Sequence, residues 1–237
     1  MHTNLAKYSK RIILGVASVL SLVLFGVLSL SSQQLQKGVS VQLAPTKNAK
    51  PMPAADDQNA WVVSISADGR LWFGADLVTR DGLVNKMIST PRNRNQNLYI
   101  KADARASYSD VEFVLKASHT VEFDAPILLT AQKESPQPGA IIPPKGLDVS
   151  LESGATVGPK PAEIDVVSTQ NTTVVKVNNQ QVPWESLQPT LEQLFGNRTE
   201  NVVRLKADDG VPFAQIVRAI DACRSRSSKV ILVTPSA

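Results

Sequence analysis

The sequence predicts an α+β protein. One N-terminal transmembrane helix is followed by two small β-β-α-β-α-β domains joined by a Pro-rich linker. Three observations carry this. Residues 12–30 contain no charge. One series of short elements is written twice in the same order. Inside each copy, segments rich in β-formers alternate with segments of helical period. The chain divides into a tail over residues 1–11, the membrane helix over 12–32, a connector over 33–60, a first domain over 61–132, a linker over 133–163 and a second domain over 164–237.

The apolar run comes first. A helix over residues 12–30 covers roughly 28 Å, about the hydrocarbon thickness of a bilayer. Lys7, Lys10 and Arg11 precede it, which leaves the tail in the cytoplasm and about 200 residues exported. A cleaved signal peptide is the competing reading, because Ser29, Leu30 and Ser31 have the spacing a signal peptidase reads. The run is longer than the usual apolar region of a signal peptide, roughly 7–15 residues. It is also two-faced. Gly15, Ser18, Ser21, Gly26 and Ser29 fall within one arc, and Val16, Val19, Leu20, Val23, Val27 and Leu30 fall on the other. Small residues on one face let a second helix approach closely in lipid. A retained anchor is therefore expected, with the small arc as its packing face.

Composition bounds the exported part. With 43% hydrophobic and 19% charged residues, packed cores are expected. A net charge of +4 without a dense Lys/Arg cluster gives no basis for nucleic-acid binding. Cys223 is the single cysteine, which excludes an intramolecular disulfide and a Cys-based metal site. His2 and His119 fall on opposite sides of the membrane in this reading, so they form no metal site. No cofactor is expected.

The repeat begins with Lys37-Gly38-Val39-Ser40-Val41-Gln42-Leu43, matched by Lys145-Gly146-Leu147-Asp148-Val149-Ser150-Leu151. Each leads into a Pro/Ala/Lys-rich connector. Val62-Val63-Ser64-Ile65-Ser66 then matches Ile164-Asp165-Val166-Val167-Ser168, and Arg70-Leu71-Trp72-Phe73 matches Val174-Val175-Lys176-Val177. Asp68-Gly69 signals a hairpin turn, whose second-copy counterpart falls near Asn171. A helix follows over residues 79–89, capped by Thr79, with Leu83, Val84, Met87 and Ile88 at helical spacing. Its counterpart runs over residues 183–195 with Pro183 in the first turn, a stripe of Leu187, Leu191 and Leu194, and Gly196-Asn197 as the stop.

Residues 98–103 match residues 203–208 as the next strand. The second helices run over residues 107–118, with Val111, Val114 and Leu115 inward, and over residues 211–224, with Ile216, Val217 and Ile220 inward. Residues 127–130 and 230–234 close each unit. The proline-rich stretch over residues 133–144 is expected to hold the second unit away from the first as a semi-stiff spacer.

Few residues suggest chemistry. Asp103 and Asp208 end equivalent strands, and each is expected to cap the following loop and helix N-terminus. Tyr108 and Phe213 are equivalent core positions. Trp61, Trp72 and Trp184 are expected against a sheet or a domain contact. Cys223 lies near Arg224 and Arg226, which could depress its thiol pKa, although a small buried residue is the commoner case. A phosphate-binding glycine loop, a nucleophile elbow and a His/Asp/Glu cluster are all missing, so an enzyme is not expected.

Taken together, the basic tail, the single helix, the "KGVSVQLA" stretch and the element order resemble the ExbD/TolR family. The most specific echoes are residues 64–74, like that family's opening hairpin, and residues 100–108, like its "aDxxxxY" segment. The resemblance implies an inner-membrane subunit of a proton-motive-force-driven energy transducer. Its partners would be a multi-spanning ExbB/TolQ/MotA-like protein and a second ExbD-like chain as homo- or hetero-dimer. Contact with peptidoglycan or a TonB-like protein is also implied. The family's intramembrane aspartate would fall around residues 14–18, yet no acidic residue lies between Arg11 and Leu43. A serine such as Ser18 or Ser21 does not titrate at a usable pH. Two expectations remain: a non-conducting subunit beside an aspartate-bearing paralogue, or an anchored envelope-binding scaffold.

Overall fold

The computed structural model describes residues 39–91, 96–131, 142–152, 161–169, 172–196, 201–225 and 228–234. It confirms a mixed α+β architecture with two sheets. In the first copy, β1 (Lys50–Pro51) precedes β2 (Trp61–Ile65), β3 (Leu71–Phe73) and β4 (Asp76–Val78). Helix α1 (Arg80–Ser89), β5 (Leu98–Ala102), α2 (Tyr108–Thr120) and β6 (Ile127–Thr130) complete it. The second copy runs β7 (Lys145–Asp148), β8 (Ser150–Leu151), β9 (Ala162–Thr169), β10 (Thr172–Val177), β11 (Gln180–Val182), α3 (Leu187–Phe195), β12 (Val202–Ala207), α4 (Phe213–Arg224) and β13 (Lys229–Leu232). Sheet orders are β1-β7-β6-β5-β2-β3-β4 and β11-β10-β9-β12-β13-β8.

Local chemistry explains most elements. Thr79 Oγ1 accepts from Gly82 N–H at 3.1 Å and starts α1, while Gly69 turns the first hairpin at φ 77°. Thr169 pairs with Thr172 at the end of the second antiparallel ladder, near the expected turn. Helix α3 begins at Leu187, four residues later than the pattern suggested, after a 3₁₀ turn over Trp184–Ser186. The reason is Pro189. A helix running on from Pro183 would place this proline in its interior, whereas a start at Leu187 keeps it in the first turn, where its missing N–H costs nothing. On α1 the stripe is narrower than expected: Leu83 and Met87 are buried, but Ile88 is exposed.

Besides β1, β7 and β8, which lie in the segments expected to be connector and linker, two short strands are not expected from the sequence. β4 follows a two-residue turn at Gly74 (φ 62°), and β11 follows Asn178 and Asn179 (φ 49° and 68°), both positions favouring left-handed backbone. One match also shifts by a residue. Ile65 and Val166 occupy equivalent places, each accepting the N–H of the aspartate that ends the neighbouring strand. Val62 therefore corresponds to Glu163, and Ser64 to Asp165. Matching by apolarity had slid the alignment, because the second copy carries charge where the first carries hydrocarbon.

The expectation of a separating spacer is overturned. Residues 36–136 and 140–237 belong to one compact unit, and residues from both copies share one continuous core. The repeated Lys-Gly segment, placed in the linker by the sequence reading, instead joins both sheets. β7 pairs antiparallel with β6, and β8 pairs parallel with β13. Pairing removes two exposed sheet edges that would otherwise template association. Gly146 is required here. A Cβ at that position would lie 2.6 Å from Ile127 Cγ2 and 3.2 Å from both Leu128 O and Met52 Cγ.

Gly146→Val should accordingly destabilise the 37–237 fragment by about 2 kcal/mol through overpacking, read as a lower urea midpoint.

Candidate functional site

The two sheets present the same helix-covered inner face but opposite outer faces. In the first copy the outer positions are Val62, Tyr99, Ile127 and Leu129, all buried. Residues of the connector lie over them, and Ala55, Ala60, Met52 and Leu43 pack there as a second small core. Lys101 is trapped beneath at 4% exposure. Burial pushes its pKa down, and nearby Asp56 opposes the shift. Asp56 is itself pushed up by burial, with Lys101 pulling the other way. The connector is therefore a covering element. It is tethered at its start to the second copy, where the Asp221 carboxylate accepts the backbone N–H groups of Lys47 at 2.9 Å and Asn48 at 2.8 Å.

In the second copy the equivalent outer positions are Glu163, Arg204, Ile231 and Val233, with Asp165 and Lys206 replacing Ser64 and Lys101. Strand register aligns Lys176, Asp165 and Lys206 across three strands. Arg204 is held by Glu152. A cavity of about 960 Å³ opens over this face and the carboxyl ends of β9, β12 and β13. Its lining includes Lys176, Lys206, Asp165, Asp208, Glu152 and His119, with Val167 and Val233 supplying hydrocarbon. Carboxylates and amines on an aliphatic floor suit a polar chain or mixed-charge ligand. Among the described residues, no group of three or more His, Cys, Asp or Glu side chains is placed to hold a metal ion.

The two aspartates singled out from the sequence play unequal parts. Asp103 is 3% exposed and accepts Gln42 N–H at 3.0 Å, Arg105 N–H at 3.0 Å, and the Arg105 guanidinium at 2.8 and 3.0 Å. Chiefly through the Arg105 side chain, its pKa is held down to about 2. It caps its loop as expected, but it also fastens Gln42 of the first repeated segment and gives no bond to the helix itself. Asp208 accepts only Ser168 N–H in the corresponding role, at 3.0 Å, and stands at the cavity.

Cys223 is buried, donates to Ala219 O at 3.1 Å, and has its thiol pushed up to about 12 by burial. The reactive-thiol possibility is thereby overturned, since desolvation outweighs Arg224. Trp61 is buried edge-on to Phe73, with ring centroids 5.1 Å apart. Trp184 donates to Thr173 O at 3.0 Å under the Arg218 guanidinium, 4.7 Å from its ring. Tyr108 and Phe213 are core residues, as expected.

No described helix is long and apolar enough to cross a membrane. The apolar run over residues 12–30 and its small face, Gly15, Ser18, Ser21, Gly26 and Ser29, lie outside the described residues.

The chain belongs to the ExbD/TolR family: the description "Biopolymer transport protein ExbD/TolR" matches residues 16–133 and again residues 127–236. The paired matches agree with the duplication in sequence and fold. Family members are in general inner-membrane proteins associated with ExbB/TolQ-type complexes. No curated protein sequence matches the chain.

Asp103 gives a pH signature. A depressed carboxyl pKa adds stability that is full above the unfolded value near 4 and fades as pH falls toward 2. Arg105 is largely exposed, so solvent screens its share of this stability. Asp103→Ala should cost about 2 kcal/mol at pH 7 and flatten the stability profile between about pH 4 and 2, read by urea unfolding.

Proposed function

We propose that the chain is an inner-membrane accessory subunit of a proton-motive-force-driven complex of the ExbB/ExbD or TolQ/TolR type, and is not itself the proton carrier. One observation carries this reading. The family match spans both copies and begins inside the apolar run, yet that run holds no ionisable residue. An intramembrane acid is costly and is kept where protons must move. Without one, the segment over residues 12–30 anchors and packs, through Gly15, Ser18, Ser21, Gly26 and Ser29, but does not relay. Lys7, Lys10 and Arg11 support a cytoplasmic N-terminus with both copies in the periplasm. The partners are a multi-spanning ring subunit and an ExbD-like chain that supplies the aspartate.

A second reading is favoured by the cavity and the charged outer face of the second copy. It makes the chain an anchored periplasmic binding module for peptidoglycan or envelope proteins.

Each reading has its own assay. Proteoliposomes holding this chain and its ring partner should show background proton flux, and flux above background with no aspartate-bearing chain present would overturn the first. For the second, the 37–237 fragment should be retained on peptidoglycan or envelope extract, and Lys176→Glu/Lys206→Glu should lower retention several-fold. Complete absence of retention would count against it.

A further inference from the structure

Two domains in one chain can sit side by side without regard to one another, or pair as two separate chains would. At the seam between these copies the bonding has the second form. Tyr108 N–H donates to Val211 O at 2.9 Å, and Phe213 N–H donates to Ala106 O at 2.8 Å. Ser109 N–H donates to Asp209 O at 3.1 Å, and Ala214 N–H donates to Ala104 O at 2.9 Å. The matched positions are Ala104 with Asp209, Ala106 with Val211, Tyr108 with Phe213, and Ser109 with Ala214. Each bond is thus the image of another, which is the signature of an isologous two-fold contact. Ser107 and Pro212 face each other at its centre as an antiparallel bridge. Tyr108 and Phe213 bury their rings at equivalent places beside it, at 1% exposure each.

We propose that this chain is a single-polypeptide equivalent of a two-chain assembly. The seam occupies within the chain the surface through which two copies of the domain would pair between chains. The protein therefore enters its complex as one copy, bringing two exported domains on one N-terminal apolar segment. That last clause rests on the membrane reading above; the pairing within the chain does not.

Covalent joining explains the unequal outer faces. A homodimer must show the same residues twice. Here Val62 stands opposite Glu163 in the repeat, and Tyr99 opposite Arg204, so the connector covers an apolar first face, while the second face carries charge and, among the described residues, borders a cavity. The pair is two-fold at its seam and one-sided at its surface.

The test uses the full chain in detergent with Cys223→Ser, Ser107→Cys and Pro212→Cys. The bracketing bonds make residues 107 and 212 a non-hydrogen-bonded pair, whose Cα separation of about 4.5 Å suits a disulfide. Cysteines joined within a chain meet at roughly millimolar effective concentration, so at micromolar protein their oxidation should outpace linkage between chains by about a thousand-fold. The expected result is loss of both thiols with no rise in mass on a non-reducing gel. When two differently tagged forms are mixed, no species should carry both tags. A disulfide-linked species with both tags, or thiols that stay free in a chain with native circular dichroism, would overturn the proposal. Native mass spectrometry of the unaltered chain guards against misfolding of the variant: one copy per particle supports the proposal and two copies refute it. Neither readout needs the ring partner, so a failure of the proton-flux assay leaves this result standing, and the reverse.

Discussion

Backbone groups at a sheet edge must find partners, and this requirement organises the two copies of the repeated unit. Each copy ends with a strand, β6 or β13, that would leave one side unpaired. The seven residues from Lys145 to Leu151 meet both needs at once, pairing first with β6 and then with β13. Because one short segment serves two sheets, the copies cannot drift apart without breaking its ladder with one of them. The continuous core, the reciprocal seam and the tether from Asp221 to the connector all lie within the geometry this crossing imposes.

Within that geometry the copies have diverged where duplication left them free to do so. Inner faces keep the same aliphatic character, because both must pack under helices. Outer faces separate into hydrocarbon and charge. A connector of 17 residues, 44–60, crosses the first outer face and buries Tyr99, Ile127 and Leu129. Its counterpart over residues 152–161 is shorter, and the strands beside it carry Asp165, Lys176 and Lys206. Covering and composition agree in each case, as the cost of burying unpaired charge requires.

The functional reading follows from a presence and an absence in the sequence. Family membership over both copies brings the chain to the inner-membrane transport complexes with which ExbD/TolR proteins associate. No acidic residue precedes Asp56, and the proposed non-conducting role rests on that absence.

The sequence by itself determined the duplication, the order of elements within each copy, most helix faces and the uncharged N-terminal run. These are local or periodic properties, fixed by spacing, capping and turn residues such as Thr79 and Gly69. It missed β4 and β11, where a single glycine and an Asn-Asn pair were the only signals, and it overlooked the limit that Pro189 sets on α3. Only the tertiary structure decided that the linker's Lys-Gly segment is a shared strand, that Asp103 fastens Gln42, and that the connector covers the first outer face. Those outcomes depend on which distant edge a strand meets. Edge pairing joins residues far apart in the chain, and no local period records it.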